Sequence, residues 1–87
     1  MQIDAVACRA ARAILMWSQG RLAGEASVAR GVVLAFEAGV SMPRRNNLAA
    51  IALAFEKAGC RFVVAKAGQI VVVPPVPPPA PMAVAAD

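Results

Sequence analysis

The side chains that could do chemistry in this 87-residue chain are mainly arginines. Six of the nine basic residues are arginines between Arg9 and Arg45, and the formal net charge is +4. The planar guanidinium group donates paired hydrogen bonds that suit phosphate, and a basic balance attracts polyanions. Solubility is an equally common reason for a charge of this size. The arginines therefore indicate a polyanionic ligand only together with other features of the sequence.

The other reactive residue types are too few and too scattered to form an enzyme active site. The chain has no histidine and no tyrosine, only five carboxylates, and no glycine-rich loop of the kind that binds phosphate. Cys8 and Cys60 are far apart and lack the spacing of a zinc site. We expect both to be buried reduced thiols, although one intramolecular disulfide is geometrically conceivable. We therefore expect no enzymatic activity, no cofactor and no bound metal.

The composition predicts a small cytoplasmic protein. Hydrophobic residues make up 60% of the chain and charged residues 16%, and much of the apolar fraction is alanine and valine. The longest uncharged run, residues 67–86, is interrupted by prolines and could not satisfy its backbone hydrogen bonds in lipid. Asp4 stands where a secretory signal peptide carries positive charge. We expect neither a membrane-spanning segment nor a leader.

Hydrophobic periodicity predicts a mainly helical chain with four short helices, at residues 4–16, 19–26, 29–38 and 45–58. Ser18 is a candidate N-cap for the second helix, and Gly39 and Gly59 are candidate terminators of the third and fourth. Pro43 indicates a loop before the fourth helix. The residues expected to face the core recur at helical spacing: Val6, Ala10, Ala13, Ile14, Trp17, Leu22, Ala23, Ala26, Val28, Val33, Phe36, Leu48, Ile51, Ala52 and Phe55.

After residue 59 the pattern changes from helical to β-branched. Residues 60–65 and 70–73 flank the turn-like segment 66–69 and predict a β-hairpin. The second strand has no charged residue, so a second copy of the chain could pair with its edge. The residues expected to make this dimer contact are Ile70, Val71, Val72 and Val73.

Residues 74–87 hold every proline except Pro43 and predict an extended or disordered tail. Such tails serve mostly as spacers and sometimes as ligands of partner domains. The chain accordingly divides into a helical domain at residues 1–59, a hairpin at 60–73 and a proline-rich flexible tail at 74–87.

The segment from Cys8 to Ala23 resembles the first two helices of the lambda-repressor-like, or XRE-type, helix-turn-helix family. The family pattern is an arginine-bearing first helix followed by an apolar residue, Ser-Gln, two variable residues and Leu-Ala. In this chain the apolar residue is Trp17, the Ser-Gln pair is Ser18-Gln19 and the Leu-Ala pair is Leu22-Ala23. The likeness continues through residues 26–28 and 33–39 and includes Pro43, Leu48 and Ile51. The segment Glu56-Lys57-Ala58-Gly59, followed by a hairpin, resembles a short bacterial subgroup. Over residues 8–73 the resemblance implies a helix-turn-helix bundle of four to five short helices with a C-terminal hairpin.

The resemblance implies a transcriptional regulator, a repressor or autoregulator, that binds double-stranded DNA as a homodimer with helix 29–38 in the major groove. Gln19 would hold a phosphate at the start of the second helix. Arg30 is the one residue of the third helix able to contact guanine with two hydrogen bonds. Arg12 and Glu37 match an ion pair that ties this helix to the scaffold. The full set of implied DNA contacts is Gln19, Arg30, Gly31, Val32, Leu34, Ala35, Arg44, Arg45, Asn46 and Asn47.

Some positions depart from the family pattern. The turn is Ser27-Val28-Ala29, which lacks the usual glycine and the usual capping residue. One asparagine, Asn46 or Asn47, is expected to cap the fourth helix. Apolar residues dominate the third helix, so an alternative function is a degenerate helix-turn-helix that binds a protein, as an antiactivator or antitoxin-like partner does. That partner would contact Val32, Leu34 and Ala35, or the proline-rich tail.

Overall fold

Four helices and a β-hairpin form the computed structural model of the chain, which describes residues 3–76. The helices are α1 (Ala5–Leu15), α2 (Gln19–Ala26), α3 (Arg30–Glu37) and α4 (Arg45–Lys57). The strands β1 (Arg61–Val64) and β2 (Ile70–Val73) pair antiparallel. The predicted mainly helical class with a hairpin near the C-terminus is confirmed. Residues 77–87 of the predicted tail lie outside the described residues. Within residues 3–76, no helix is long and apolar enough to cross a membrane.

The inner face of α1 differs from the predicted one. Ala7, Cys8 and Ala11 are buried, whereas Val6 is 63% exposed and Ala13 is also exposed. α1 packs against α3 and β2. Small side chains let these elements approach closely, so close packing and not side-chain size selects the buried face. The prediction was wrong at Val6 and Ala13, whereas Ile14 and Trp17 pack against the core as predicted.

α2 and α3 are joined by a turn whose residues are unusual for their backbone geometry. Ser18 caps α2 as predicted, since its Oγ accepts a hydrogen bond from the backbone N–H of Arg21 at 2.9 Å. Ser27 then adopts the left-handed conformation, with φ 57°, that glycine usually supplies. Ala29 is the N-cap of α3 and provides no capping hydrogen bond. The turn therefore forms with strain at one end and an uncapped helix at the other.

α4 also begins without a side-chain cap. Its N-cap is Arg44, not an asparagine, so the expected asparagine cap is wrong. The Oδ1 of Asn46 instead accepts a hydrogen bond from the backbone N–H of Asn47 at 3.0 Å, inside the first turn. Arg44 holds the cap position in an extended conformation, with φ −61° and ψ 155°.

The hairpin covers one side of the helical core. Phe62 meets Phe55 of α4 edge-on, and Trp17 stacks on the other side of Phe55, both with ring centroids 5.9 Å apart. The Arg21 guanidinium lies 5.1 Å from the Trp17 ring centroid. Gly59 joins α4 to β1 with φ 100°, and a Cβ there would lie 2.7 Å from the Cβ of Pro75. Helices and hairpin therefore share one core.

Candidate functional site

A buried carboxylate connects the first three helices. Glu37, the last residue of α3, is only 5% exposed. Its carboxylate accepts a two-point ion pair from Arg12 of α1, with Nε to Oε2 at 2.9 Å and Nη2 to Oε1 at 2.8 Å. This is the pair that the family resemblance implies.

Three further side chains complete what we call the Glu37 cluster. Gln19 Nε2 donates to Oε1 at 3.0 Å, and the Cys8 thiol donates to Oε2 at 3.2 Å. Arg9 Nη1 donates to the backbone carbonyl of Glu37. Arg12 also donates to the carbonyl of Trp17 at 2.9 Å. No buried polar side-chain atom of residues 3–76 lacks a hydrogen-bond partner, so the cluster is fully satisfied.

The cluster stabilises the ionised state of Glu37. Burial raises the pKa of this carboxyl group, but the hydrogen bonds from Arg12, Gln19 and Cys8 outweigh burial and hold the pKa below its ordinary value. Burial, followed by the hydrogen bond to Glu37, raises the pKa of the Cys8 thiol. Burial also raises the pKa of Cys60. Both cysteines are free and buried, which confirms the expectation of reduced thiols within the described structure.

Gln19 lies where the sequence places it, at the first position of α2, but its amide nitrogen is already engaged with Glu37. Its assignment to a DNA phosphate stays a prediction. In the free protein, its observed contact joins α2 to the end of α3. This contact could not be read from the sequence, because nothing in the spacing of residues 19 and 37 shows that their helices meet there.

The outward face of α3 carries the residues predicted to reach DNA. Arg30, Gly31 and Leu34 are exposed, and Val32 and Ala35 are half-buried. A side chain at Gly31 would meet nothing within 4 Å. This face is therefore open, with one charged side chain at its N-terminal end and apolar side chains along its length.

An open groove of about 370 Å³ runs between this face and the start of α4. We call it the α3–α4 groove; its lining residues are Gly31, Val32, Ala35, Ser41, Met42, Pro43, Arg44 and Asn47. Arg45 and Asn46 are exposed beside it. The structure thus brings the predicted loop residues close to the predicted reading face, whereas Gln19 lies in the Glu37 cluster.

The charges around the α3–α4 groove are unfavourably placed for the free protein. Arg30 is the first residue of α3, and Arg44 and Arg45 are the N-cap and first residue of α4. The N-terminal end of a helix carries positive partial charge and favours acidic side chains. Neither helix has an acidic residue in its first turn. Among residues 3–76 the salt bridges are Arg12–Glu37 and Arg21–Glu25, so none of the three groove arginines is paired.

The four residues predicted to form a dimer contact divide between the two faces of the hairpin. Ile70 and Val72 pack against the core, whereas Val71 is 44% exposed and Val73 is half-buried on the opposite face. Ile70 and Val72 therefore cannot make dimer contacts through an outward-facing side chain, although their backbone groups remain available at the strand edge.

Sequence reasoning missed four residues of the site. Cys8 and Arg9 belong to the Glu37 cluster, and their positions four and three residues before Arg12 place all three on one side of α1. That spacing was the available signal. Ser41 and Met42 line the groove, and no signal in the sequence singled them out.

Comparison with known proteins adds no family assignment. No protein-family model and no curated protein sequence matches the chain. Within residues 3–76, no group of histidine, cysteine, aspartate or glutamate side chains could hold a metal ion.

Proposed function

We propose that this protein is a helix-turn-helix regulator of transcription, a repressor or autoregulator, that binds double-stranded DNA with α3 in the major groove. In this proposal α2 and α3 are the two helices of the motif. Residues 27–29 form its turn. The sequence resemblance supports the assignment, as does the succession of two eight-residue helices joined by a tight turn.

The observation that carries the proposal is a set of three arginines at the starts of α3 and α4, none of them paired within residues 3–76. Arg44 lines the α3–α4 groove, and Arg30 and Arg45 each adjoin a lining residue in the chain. Arg30, Arg44 and Arg45 are exposed at the positive ends of two uncapped helices. Each position weakens the free protein slightly, because guanidinium groups and helix dipoles repel there. A phosphate backbone in the groove would reverse that repulsion, since both arginine side chains and free backbone N–H groups would bind it.

The Glu37 cluster supplies the rigidity that such an interface needs. It fixes the C-terminal end of α3 to α1 and α2 through the contacts of Arg12 and Gln19. In this proposal the base contacts are made by the other end of α3, so the buried Arg12–Glu37 pair would fix the orientation of the helix without itself contacting bases. A helix held in place before binding loses less entropy on association.

The proposed readout of bases is limited. Arg30 can donate two hydrogen bonds to guanine, and the apolar side chains of Val32, Leu34 and Ala35 can only contact thymine methyl groups. We therefore expect phosphate contacts to dominate the affinity, which should fall steeply with salt concentration.

The test is a fluorescence-anisotropy titration of the full chain with a labelled duplex from the region upstream of its own gene, and with a scrambled duplex. The key variant is Arg30→Ala, and the matched control is Arg61→Ala, which removes an exposed arginine from the hairpin. We expect specific binding that Arg30→Ala abolishes and Arg61→Ala preserves. Arg44→Ala should lower the log–log salt slope by roughly 0.9 for each phosphate that the variant no longer neutralises.

Equal loss of binding in the Arg30 and Arg61 variants would reduce the proposal to nonspecific attraction by net charge. Absence of binding to either duplex at low salt would refute DNA binding altogether.

A second candidate function, binding to a protein partner, is favoured by one observation. Leu34, Val40 and Met42 are 44%, 77% and 60% exposed and lie on α3 and the following loop. Exposed apolar side chains grouped in this way mark interaction surfaces. Leu34→Asp would abolish partner binding in a pull-down, whereas Arg30→Ala would leave it largely intact. Loss of binding in Arg30→Ala is expected only for DNA, because Leu34→Asp would weaken DNA binding as well by placing a carboxylate near phosphate.

A further inference from the structure

The outer edge of β2 has unsatisfied backbone groups within the described residues. At the turn the N–H of Ala65 donates to the carbonyl of Gln69 at 2.8 Å. Hydrogen-bonded and non-hydrogen-bonded pairs alternate along an antiparallel ladder. Ile70 and Val72 are therefore non-hydrogen-bonded pairs with Val64 and Phe62, and they point their N–H and C=O groups away from β1. No loop or other element of residues 3–76 satisfies these groups.

This edge is short, because the residues that flank it on either side have no free N–H group to donate. Beyond Val72 the next residue with an outward-pointing backbone is Pro74, which has no N–H to donate. At the other end, the N–H of Gly68 already donates to the carbonyl of Ala65 at 2.9 Å. Only Ile70 and Val72 remain to accept a new strand. A partner strand must therefore present its own free N–H and C=O groups on two residues that are two positions apart, as Ile70 and Val72 are.

We infer that β2 pairs antiparallel with β2 of a second copy, with Val71 on the two-fold axis. In that register Ile70 lies opposite the partner's Val72, and Val72 lies opposite the partner's Ile70. The two pairs exchange four hydrogen bonds, which use every outward-pointing N–H and C=O group of Ile70 and Val72 in both copies. The result is a four-stranded sheet, which is more stable than an isolated hairpin. The inference concerns the hairpin alone and does not rest on DNA binding.

Charge distinguishes β2 from the other free edge, that of β1. Two copies of β1 paired about Val63 would place Arg61 opposite the partner's Ala65. This pairing would gather Arg61 and Lys66 of both copies along one seam, and charged residues on an edge strand oppose edge-to-edge pairing. Two copies of β2 bring together only uncharged residues, with Gln69 opposite the partner's Val73. Because the chain is positively charged overall, its uncharged edge is the one where two copies can meet without repulsion.

The outward face of the hairpin gains from the same arrangement. Val63 and Val71 face each other across β1 and β2 and are 42% and 44% exposed. Across the two-fold axis, Val71 would contact the partner's Val71 and extend this pair into a continuous valine stripe. A three-residue edge buries less than the roughly 1,200 Å² typical of stable interfaces. We therefore expect a dimer whose population rises with protein concentration.

Cysteine cross-linking tests the register directly, because Cys8 and Cys60 are buried and contribute no exposed thiol. Val71→Cys is the key variant, and Val63→Cys is a matched control with almost the same exposure. In the inferred register the two Cα atoms of residue 71 fall within disulfide range, so mild oxidation should give at least about tenfold more covalent dimer for Val71→Cys than for Val63→Cys. Non-reducing electrophoresis measures the yield at several protein concentrations.

Preferential cross-linking of Val63→Cys would overturn the inference in favour of the β1 edge. Absence of cross-linking in both variants would overturn it in favour of a monomer. Sedimentation of Val71→Lys provides a second measurement, since two lysines at the axis should eliminate the dimer while Val63→Lys retains it. Circular dichroism verifies that each variant is folded.

Discussion

The arginines of this protein occupy two regions with opposite electrostatic character. Arg12 in the Glu37 cluster is largely buried, paired at two points with a carboxylate and hydrogen-bonded to a carbonyl. Arg30, Arg44 and Arg45 around the α3–α4 groove are exposed, unpaired within the described residues and located at the unfavourable ends of helices. Arginine therefore has protein hydrogen-bond acceptors in the Glu37 cluster, whereas the arginines around the groove have none among the described residues.

This difference separates residues that hold the fold from residues that are available to a ligand. The Glu37 cluster leaves none of its buried polar side-chain atoms without a partner. The groove arginines add nothing to the fold that an acidic or neutral residue would not provide better. Charges that do not help the free protein indicate an external counter-charge. The contrast predicts that substitutions in the cluster lower stability, and that substitutions at the groove change binding without loss of stability.

The largest effect is expected from Glu37→Ala. This change leaves the Arg12 guanidinium and the Gln19 amide without their acceptor in a site mostly shielded from water. Breaking a buried ion pair costs about 3–5 kcal/mol, and the 22% exposure of the Arg12 side chain favours the lower end. Urea unfolding followed by Trp17 fluorescence measures the loss. The control is Glu25→Ala, which breaks the exposed Arg21–Glu25 pair and should cost less than about 1 kcal/mol. Equal losses in the two variants would contradict the contrast.

Acid should weaken the protein through the same cluster. The pKa of Glu37 is lower in the folded chain than its ordinary, unfolded value. The ionised carboxylate therefore contributes stability at pH values above the unfolded pKa of about 4.3, and this contribution is lost as the pH falls through the lower, folded pKa. Urea midpoints between pH 6 and pH 3 measure the slope. The Glu37→Gln variant cannot ionise at this position and should show a shallower decline in acid; an identical decline would mean that other groups dominate.

Replacement of a groove arginine by an acidic residue should raise the stability of the fold, whereas replacement of Glu37 lowers it. Arg30→Glu places a carboxylate at the positive end of α3, where it should stabilise the fold by about 0.3–1 kcal/mol. The same change should abolish the proposed DNA binding, since it repels phosphate. Urea unfolding and anisotropy on one preparation give both values. A loss of stability would show that Arg30 has a structural role, which would remove the basis for the contrast.

The helices were predictable because local chemistry sets their ends. Ser18 caps α2, Gly39 and Gly59 adopt positive φ after α3 and α4, and the hairpin follows β-branched residues on both sides of Gly68. The buried face of α1 was not predictable in the same way, because Ala7 and Cys8 are buried by the close approach of other elements. The sequence of one helix does not show how closely neighbouring elements will pack against it.

The candidate site was predictable only as far as the family resemblance reached. It implied the Arg12–Glu37 pair and the grouping of α3 with Arg44. The contact between Gln19 and Glu37, and the thiol of Cys8 in the same cluster, depend on how three helices meet. Spacing along the chain gives the face of one helix, and tertiary contacts decide which faces share a carboxylate.

The smallest effect, and the sharpest test of the contrast, is the replacement of two glycines by alanine. Gly24 in α2 and Gly31 in α3 both lie inside helices, and an added Cβ meets nothing within 4 Å at either position. Each substitution should therefore stabilise the fold by up to roughly 0.5 kcal/mol, the low end for glycine in a helix, because both helices are short and Gly31 lies in the first turn of α3. Only Gly31 lines the α3–α4 groove, so only Gly31→Ala should weaken DNA binding, by placing a methyl group where the ligand approaches the helix. Equal anisotropy curves for the two variants would place the ligand away from the groove, whereas a selective loss in Gly31→Ala would locate it against the first turn of α3.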